Sequence, residues 1–246
     1  MVLRHSVELS LNTFVTTMRW AQCGDLHAIF TGGEVYLPPA ARENFNHEAY
    51  EELANLGLIQ GNVLTEEFEH TLQVLGKPDI EYFAFTRSQD ETHDVLTAIS
   101  GKFAVLARRY GHRVWIEPVW LENPAESLIR ALPEFPAAHF TSFSLAQSEW
   151  RALHAAPDPY RADPVPTRMA RKLQEIFQQP CHGVAEIGCV RIKSTVDNSR
   201  SQDSLVYLDT ESGRVGIHIS SGKDSKYLTV FPGEPGQLLS RMTGSH

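Results

Sequence analysis

Phe103-Ala-Val-Leu-Ala-Arg-Arg-Tyr-Gly-His-Arg-Val-Trp-Ile-Glu-Pro-Val119 reads as two strands about a turn. Phe103–Arg109 and Arg113–Val119 are crowded with apolar, β-branched and aromatic residues, and Gly111 between them is the residue best suited to reversing the chain. Two more such runs precede it. Ile80-Glu-Tyr-Phe-Ala-Phe-Thr86 is followed by a polar loop at Ser88–His93, and Val95–Ile99 by the turn Ser100-Gly101. On the far side, Asn123-Pro-Ala-Glu126 opens a helix with asparagine as cap, proline at the first helical position and a glutamate at the third. Short strands joined by tight turns and closed by a helix predict an antiparallel meander in an α+β protein.

Toward the N-terminus, Val7, Leu9 and Leu11 alternate with polar residues as a short strand does. A helix is expected over Asn12–Cys23 with Ser10 or Asn12 as its cap, then an irregular stretch through Gly24–Asn46, where Gly32-Gly33 and Pro38-Pro39 fall. Further helices are predicted at His47–Leu56, stopped by Gly57, and from Thr65 to about Leu75, ahead of Pro78. Toward the C-terminus the reading is a strand at His139–Phe143, a helix at Leu145–His154, and a linker over 157–166 marked by Pro157, Pro159, Pro164 and Pro166. Then come a helix at Thr167–Phe177, strands at Val184–Lys193, Leu205–Leu208, Val215–Ser220 and Tyr227–Phe231, and a helix from Pro235.

The two series of strands superimpose at a shift of 111 residues. Gly111 falls on Gly222, Val119-Trp120 on Val230-Phe231, Pro124 on Pro235, Leu128 on Leu239 and Arg130 on Arg241. This predicts a single domain of two pseudo-two-fold-related halves, 1–156 and 165–246, since the period is too long for a solenoid.

Composition narrows function by exclusion. The chain has 246 residues and a formal net charge of −8, which disfavours a nucleic acid or an anionic membrane surface as partner. Cys23, Cys181 and Cys189 form no paired framework, which fits a reducing compartment. The N-terminal residues lack the apolar core of a secretory signal and no run of about 18 apolar residues occurs, so the expectation is a cytoplasmic protein without membrane insertion.

Local motifs for chemistry fail in turn. There is no G-x-S-x-G elbow and no G-x-G-x-x-G after a strand. Ser100-Gly101-Lys102 lacks the leading glycine of a phosphate loop and is followed by Phe103. His47-Glu48-Ala-Tyr-Glu51 has one of the two histidines a zinc helix requires, and Cys181, His182 and Cys189 lack paired zinc spacing. No metal and no cofactor is expected. The polar loop Ser88-Gln-Asp-Glu-Thr-His-Asp94 reads either as a soluble hairpin tip or as an acidic recognition finger.

The order of segments resembles the EspG family. The resemblance is carried by Gly101–Val119 with Asn123-Pro-Ala-Glu-Ser-Leu-Ile-Arg-Ala-Leu-Pro133, by Glu51-Glu-Leu-Ala-Asn-Leu-Gly-Leu-Ile59, and by Leu72-Gln-Val-Leu-Gly-Lys-Pro78. Near the C-terminus, Tyr207-Leu-Asp-Thr-Glu-Ser-Gly213 and Tyr227-Leu-Thr-Val-Phe-Pro232 continue it. The resemblance implies an EspG-like α+β fold with a central, largely antiparallel sheet flanked by helices. It implies a non-enzymatic cytosolic chaperone of type VII (ESX) secretion that binds the exposed tip of the PPE protein in a PE–PPE heterodimer. By position, the implied partner-binding residues are Arg87, Gln89, Asp90, Glu91 and Asp94 in the loop, and Leu205, Tyr207, His218 and Tyr227 as outward residues of the later strands. The helices near Arg168–Gln178 and Leu238–Met242 join them. The competing reading is an enzyme or small-ligand binder whose site is assembled from distant residues.

Overall fold

The structure is a computed structural model that describes residues 1–31, 39–88, 92–153, 165–194, 197–200, 204–221 and 225–244. In chain order the elements are β1 (Val7–Ser10), α1 (Leu11–Trp20), a 3-10 turn (Ala28–Phe30), α2 (Pro39–Asn55), β2 (Ile59–Gln60), β3 (Val63–Leu64) and α3 (Glu66–Gly76). There follow β4 (Ile80–Ser88), β5 (Thr92–Ser100), β6 (Phe103–Tyr110), β7 (Arg113–Pro118), α4 (Ala125–Arg130), β8 (Phe143–Ala146) and α5 (Gln147–Leu153). The chain continues with α6 (Arg168–Phe177), β9 (Cys181–Ser194), β10 (Asp197–Arg200), β11 (Ser204–Thr210), β12 (Gly213–Ser221), β13 (Lys226–Pro232) and α7 (Pro235–Gly244). The fold is α+β, with antiparallel strands flanked by helices.

Two compact units emerge. Unit one comprises Met1–Phe85, Asp90–Leu132 and Cys189–Ser199; unit two comprises Thr86–Gln89, Pro133–Gly188 and Arg200–His246. Strands β4 and β9 contribute residues to both.

In unit one the strand order is β1-β7-β6-β5-β4-β9. β1 pairs antiparallel with β7, Val7 opposite Ile116 and Leu9 opposite Val114. It runs straight into α1, whose cap is Ser10: the side-chain oxygen accepts from the Thr13 amide at 3.1 Å. Alternation sends Leu96, Ala98, Val105, Ala107, Val114 and Ile116 to one face, where Phe14, Leu53, Phe68 and Leu72 from α1, α2 and α3 pack on them. Each fully buried side chain of this size contributes roughly 1.5–3 kcal/mol. The other face of β5 presents Val95 and Thr97, and Thr97 Oγ1 lies 2.9 Å from Ser127 Oγ of α4.

Helix α2 begins at Pro39, within the stretch expected to be irregular. A proline with its fixed φ and missing N–H suits a first helical turn, so the same residue that reads as a breaker starts the helix. The β2–β3 hairpin is also new, each strand being only two residues long.

In unit two the strand order is β9-β11-β12-β13-β8. The expected strand at His139–Phe143 is instead β8, Phe143–Ala146, which pairs with β13 through Phe143 opposite Val230 and Leu145 opposite Leu228. Leu145, Val215, Ile217, Leu228 and Val230 form a core with Ala170, Leu173 and Ile176 of α6. The Ser212-Gly213 turn is as expected: Gly213 has φ +112, and a Cβ there would lie 2.6 Å from the Ala138 nitrogen. The loop expected at Ser194–Asp203 contains β10, which pairs with β9. Most of the proline-rich segment lies outside the described residues.

Candidate partner-binding face on unit two

The strands of unit two alternate between two faces. Register places Leu205 opposite His218, His218 opposite Thr229, Thr229 opposite Ser144, and Tyr227 opposite Ser220 and Ala146. All therefore share the face turned away from α6, because Ile217, Ile219, Leu228 and Leu145 occupy the alternate positions and pack toward α6.

On that face burial falls steeply from β11 to β8. Leu205 and Tyr207 are buried, at 4% and 1% exposure, so they are not the outward residues expected. The error has a simple cause: Leu205-Val-Tyr-Leu208 is apolar at every position, so the sequence does not show which face of β11 is the more open. Tyr207 lies against Arg214, whose guanidinium carbon sits 3.9 Å from the ring centroid. Burial pushes the Tyr207 hydroxyl up to about 12 despite that cation. Arg214 is itself buried and donates to Asp209 through Nε at 2.6 Å and through a terminal nitrogen at 2.9 Å; it also donates to the Pro133 carbonyl at 2.8 Å. This side of the face is architecture.

Along β12 and β13 the sheet opens. His218 is half-buried and Tyr227 is 46% exposed, with Thr229 and Ser144 beside them joined hydroxyl to hydroxyl at 3.0 Å. Tyr227 stands diagonal to His218, within reach of one bound side chain.

Helix α7 borders this surface. Leu238 and Met242 are buried, at the i, i+4 spacing that turns one stripe inward, so Gln237, Ser240 and Arg241 lie toward a cleft of about 450 Å³ that they share with His218. The Arg241 guanidinium carbon is 4.4 Å from the centroid of the Phe231 ring. Phe231 in turn fills the space above Gly216, where an added Cβ would meet the ring at 2.3 Å. This stack fixes α7, and burial lowers the Arg241 guanidinium from its ordinary value. Gln237, Ser240 and Arg241 were missed as individual residues. The inward pair Leu238 and Met242, expected as part of a contacting helix, is the signal that could have found them.

On the α6 side, Met169 and Phe177 are 37% and 48% exposed, and Phe177 stacks on Trp150 with ring centroids 5.2 Å apart. The face around Tyr227 is thus aromatic and polar, and the exposed large apolar residues of α6 lie on the opposite side.

The predicted loop residues separate. Arg87 is exposed, and its guanidinium donates to the Thr86 carbonyl at 2.7 Å. Gln89, Asp90 and Glu91 lie outside the described residues. Asp94 is buried at 3%, within β5 and opposite Arg109, so it is no part of an exposed acidic tip. Its neighbour His93 is buried too and stacks on Tyr110 at 4.0 Å. Burial, and secondarily the Arg108 guanidinium, pushes the His93 imidazole down to about 4. Sequence alone placed Asp94 in a polar loop because His93-Asp94 breaks the apolar run, yet pairing with β6 continues through Tyr110.

The family model of EspG proteins matches residues 10–243, nearly the whole chain. This chain belongs to the EspG family. Among solved structures, this EspG-family member is similar to the Mycobacterium tuberculosis type VII secretion system chaperone EspG5 in its complex with the PE25-PPE41 dimer. The TM-score is 0.69 at 12% sequence identity, over 97% of this chain and 94% of that one. Identity this low shows a shared fold. Among curated protein sequences, none matches the chain. No helix among the described residues is long and apolar enough to cross a membrane.

Proposed function

We propose that this EspG-family protein is a cytosolic chaperone of type VII secretion. It binds the exposed tip of the PPE subunit in a PE–PPE heterodimer and keeps the pair soluble and competent for export. Family membership supports this reading, together with the likeness of fold to a chaperone solved with a PE–PPE dimer. The observation that carries it to a surface is the open sheet face of β12, β13 and β8, bordered by α7. Tyr227 supplies an aromatic anchor, and His218, Gln237, Ser240 and Arg241 supply a rim of polar groups that fixes register. The work requires complementarity and a stable platform, so the protein acts without catalysis and without a cofactor.

Co-expression with a PE–PPE pair from the same genome tests the proposal. An equimolar ternary complex should elute on gel filtration. Tyr227→Ala combined with Arg241→Glu should weaken capture by about a hundredfold, as loss of an interface anchor does. Failure of every such pair to form a complex would sink the chaperone reading; unchanged capture by the double variant would move the seat to another surface.

A further inference from the structure

Unit one carries a groove that the proposed function does not use. It measures about 550 Å³ and is lined by Trp20 and Ala21 from α1, Tyr50 from α2, the β2–β3 hairpin, and Glu69 from α3. That volume is in the range of built binding sites, and the wall has the matching character: mostly apolar and aromatic, with few polar groups. Its residues are also unusually bare for their type. Trp20 is 40% exposed, Tyr50 38% and Val63 68%.

The parts are held in place. The Tyr50 hydroxyl donates to the Gly61 carbonyl at 2.9 Å, which ties α2 to the hairpin turn and sets the ring against the groove. Leu58 is buried, its amide donating to the Leu53 carbonyl at 2.9 Å and its carbonyl accepting from the Thr65 amide at 2.9 Å. The hairpin is thereby anchored at both ends.

Charge decides the occupant. Glu69 is the one carboxylate of the wall, and no cationic side chain lines it among the described residues. Glu66, three residues earlier on the same helix face, is exposed as well. Neither makes an ion pair among the described residues, whereas Glu67 between them is engaged by Arg4 at 3.3 Å. An indole and a phenol ring beside an unengaged carboxylate suit a planar cation with an apolar stem, which stacks on the rings and bonds the carboxylate through a fork. The exposed rim formed by Val63 and Trp20 requires covering by more than one side chain, which a protein segment provides and a free small cation does not.

We propose that this groove is a docking site for an arginine-bearing apolar segment of a second protein, with the guanidinium on Trp20, Tyr50 and Glu69 and the flanking apolar residues on Ile59, Val63 and Leu64. The site lies within unit one.

The test titrates two peptides, Ac-Leu-Ala-Arg-Leu-amide and Ac-Leu-Ala-Gln-Leu-amide, into the isotope-labelled full chain and follows the Trp20 indole and Val63 methyl signals. The arginine peptide should shift both and bind about tenfold more tightly than the glutamine peptide. Glu69→Gln should erase that preference. Trp20→Ala should weaken arginine-peptide binding by about tenfold while circular dichroism and PE–PPE capture stay those of the parent. Equal binding of the two peptides would assign the groove to a purely apolar occupant and overturn the proposal. So would shifts centred outside the groove, an unaltered preference in Glu69→Gln, or no binding of either peptide.

Discussion

The two compact units begin and end alike, with an edge strand running directly into a helix and, later, a meander followed by a closing helix. Between these, unit one has α2, the β2–β3 hairpin and α3, and unit two has α6. In the first, β1 leads into α1 and pairs with β7; in the second, β8 leads into α5 and pairs with β13. What differs is cover. Three helices lie on one face of the unit-one strands, and Phe14, in the second turn's worth of residues after β1, is wholly buried. Trp150, at the matching place after β8, is only half-buried and rests on an exposed Phe177. Cover fails on the other face of unit two as well, where the surface beyond α7 leaves Tyr227 bare. Similar elements thus give, in unit one, strands closed over on one face by helices and, in unit two, strands whose faces stay partly open beside a buried ion pair. Completeness of burial separates covered strand faces from open ones.

That contrast can be broken or sharpened by experiment. The largest effect is expected from Asp209→Ala in unit two, which strands the buried Arg214 guanidinium and should cost about 3–5 kcal/mol in urea unfolding. In unit one Phe14→Ala should cost a similar ~3–5 kcal/mol, and Trp150→Ala clearly less because that ring is already part-solvated. Equal losses from the two aromatic truncations would remove the distinction drawn between the units.

His93 gives unit one a dependence on pH. Its folded pKa of about 4 lies below the ordinary value of 6.5, so between the two the unfolded chain binds more protons. The stability conferred by the neutral ring is therefore fully present above about pH 6.5 and is lost as pH falls toward 4, by roughly 3 kcal/mol. Urea midpoints taken from pH 7 to pH 4 should show this slope, and His93→Gln should flatten it. A slope that persists in the variant would assign it to carboxylates.

Smaller still, Ser10→Ala removes the α1 cap and should cost about 1 kcal/mol by the same measurement. Tyr227→Ala should leave stability within about 0.5 kcal/mol, since the ring is exposed, and act only on binding. A large loss of stability there would show the open face to be a structural one.

The meanders and their turns were legible because each strand pairs a simple apolar signal with a turn glycine, as at Gly111 and Gly213. The closing helix from Pro235 was legible too, and of the two caps expected for α1, Ser10 and Asn12, Ser10 is the one that accepts from the Thr13 amide. Elements without a periodic signal were not: β2 and β3 are too short to show one, and β10 is the polar run Asp197-Asn-Ser-Arg200. Phe143-Ser-Leu-Ala146 satisfies strand and helix spacing alike, and only pairing with β13 settles it. Exposure on the candidate face was half legible. Tyr227 and His218 lie on the open face, but Leu205 and Tyr207 share their parity and still lie beneath cover, because parity assigns a face and says nothing of what lies on top. Asp94 shows the reverse case, a carboxylate taken inward by strand pairing.

The stack of Gly216, Phe231 and Arg241 constrains how these positions can drift over evolutionary time. Any side chain at 216 must claim the volume held by the Phe231 ring, and the ring cannot retreat because the Arg241 guanidinium caps it. Substitutions here can be accepted only in concert, so a homologue with alanine or larger at 216 should carry a smaller residue at 231 and a closing helix re-seated to match.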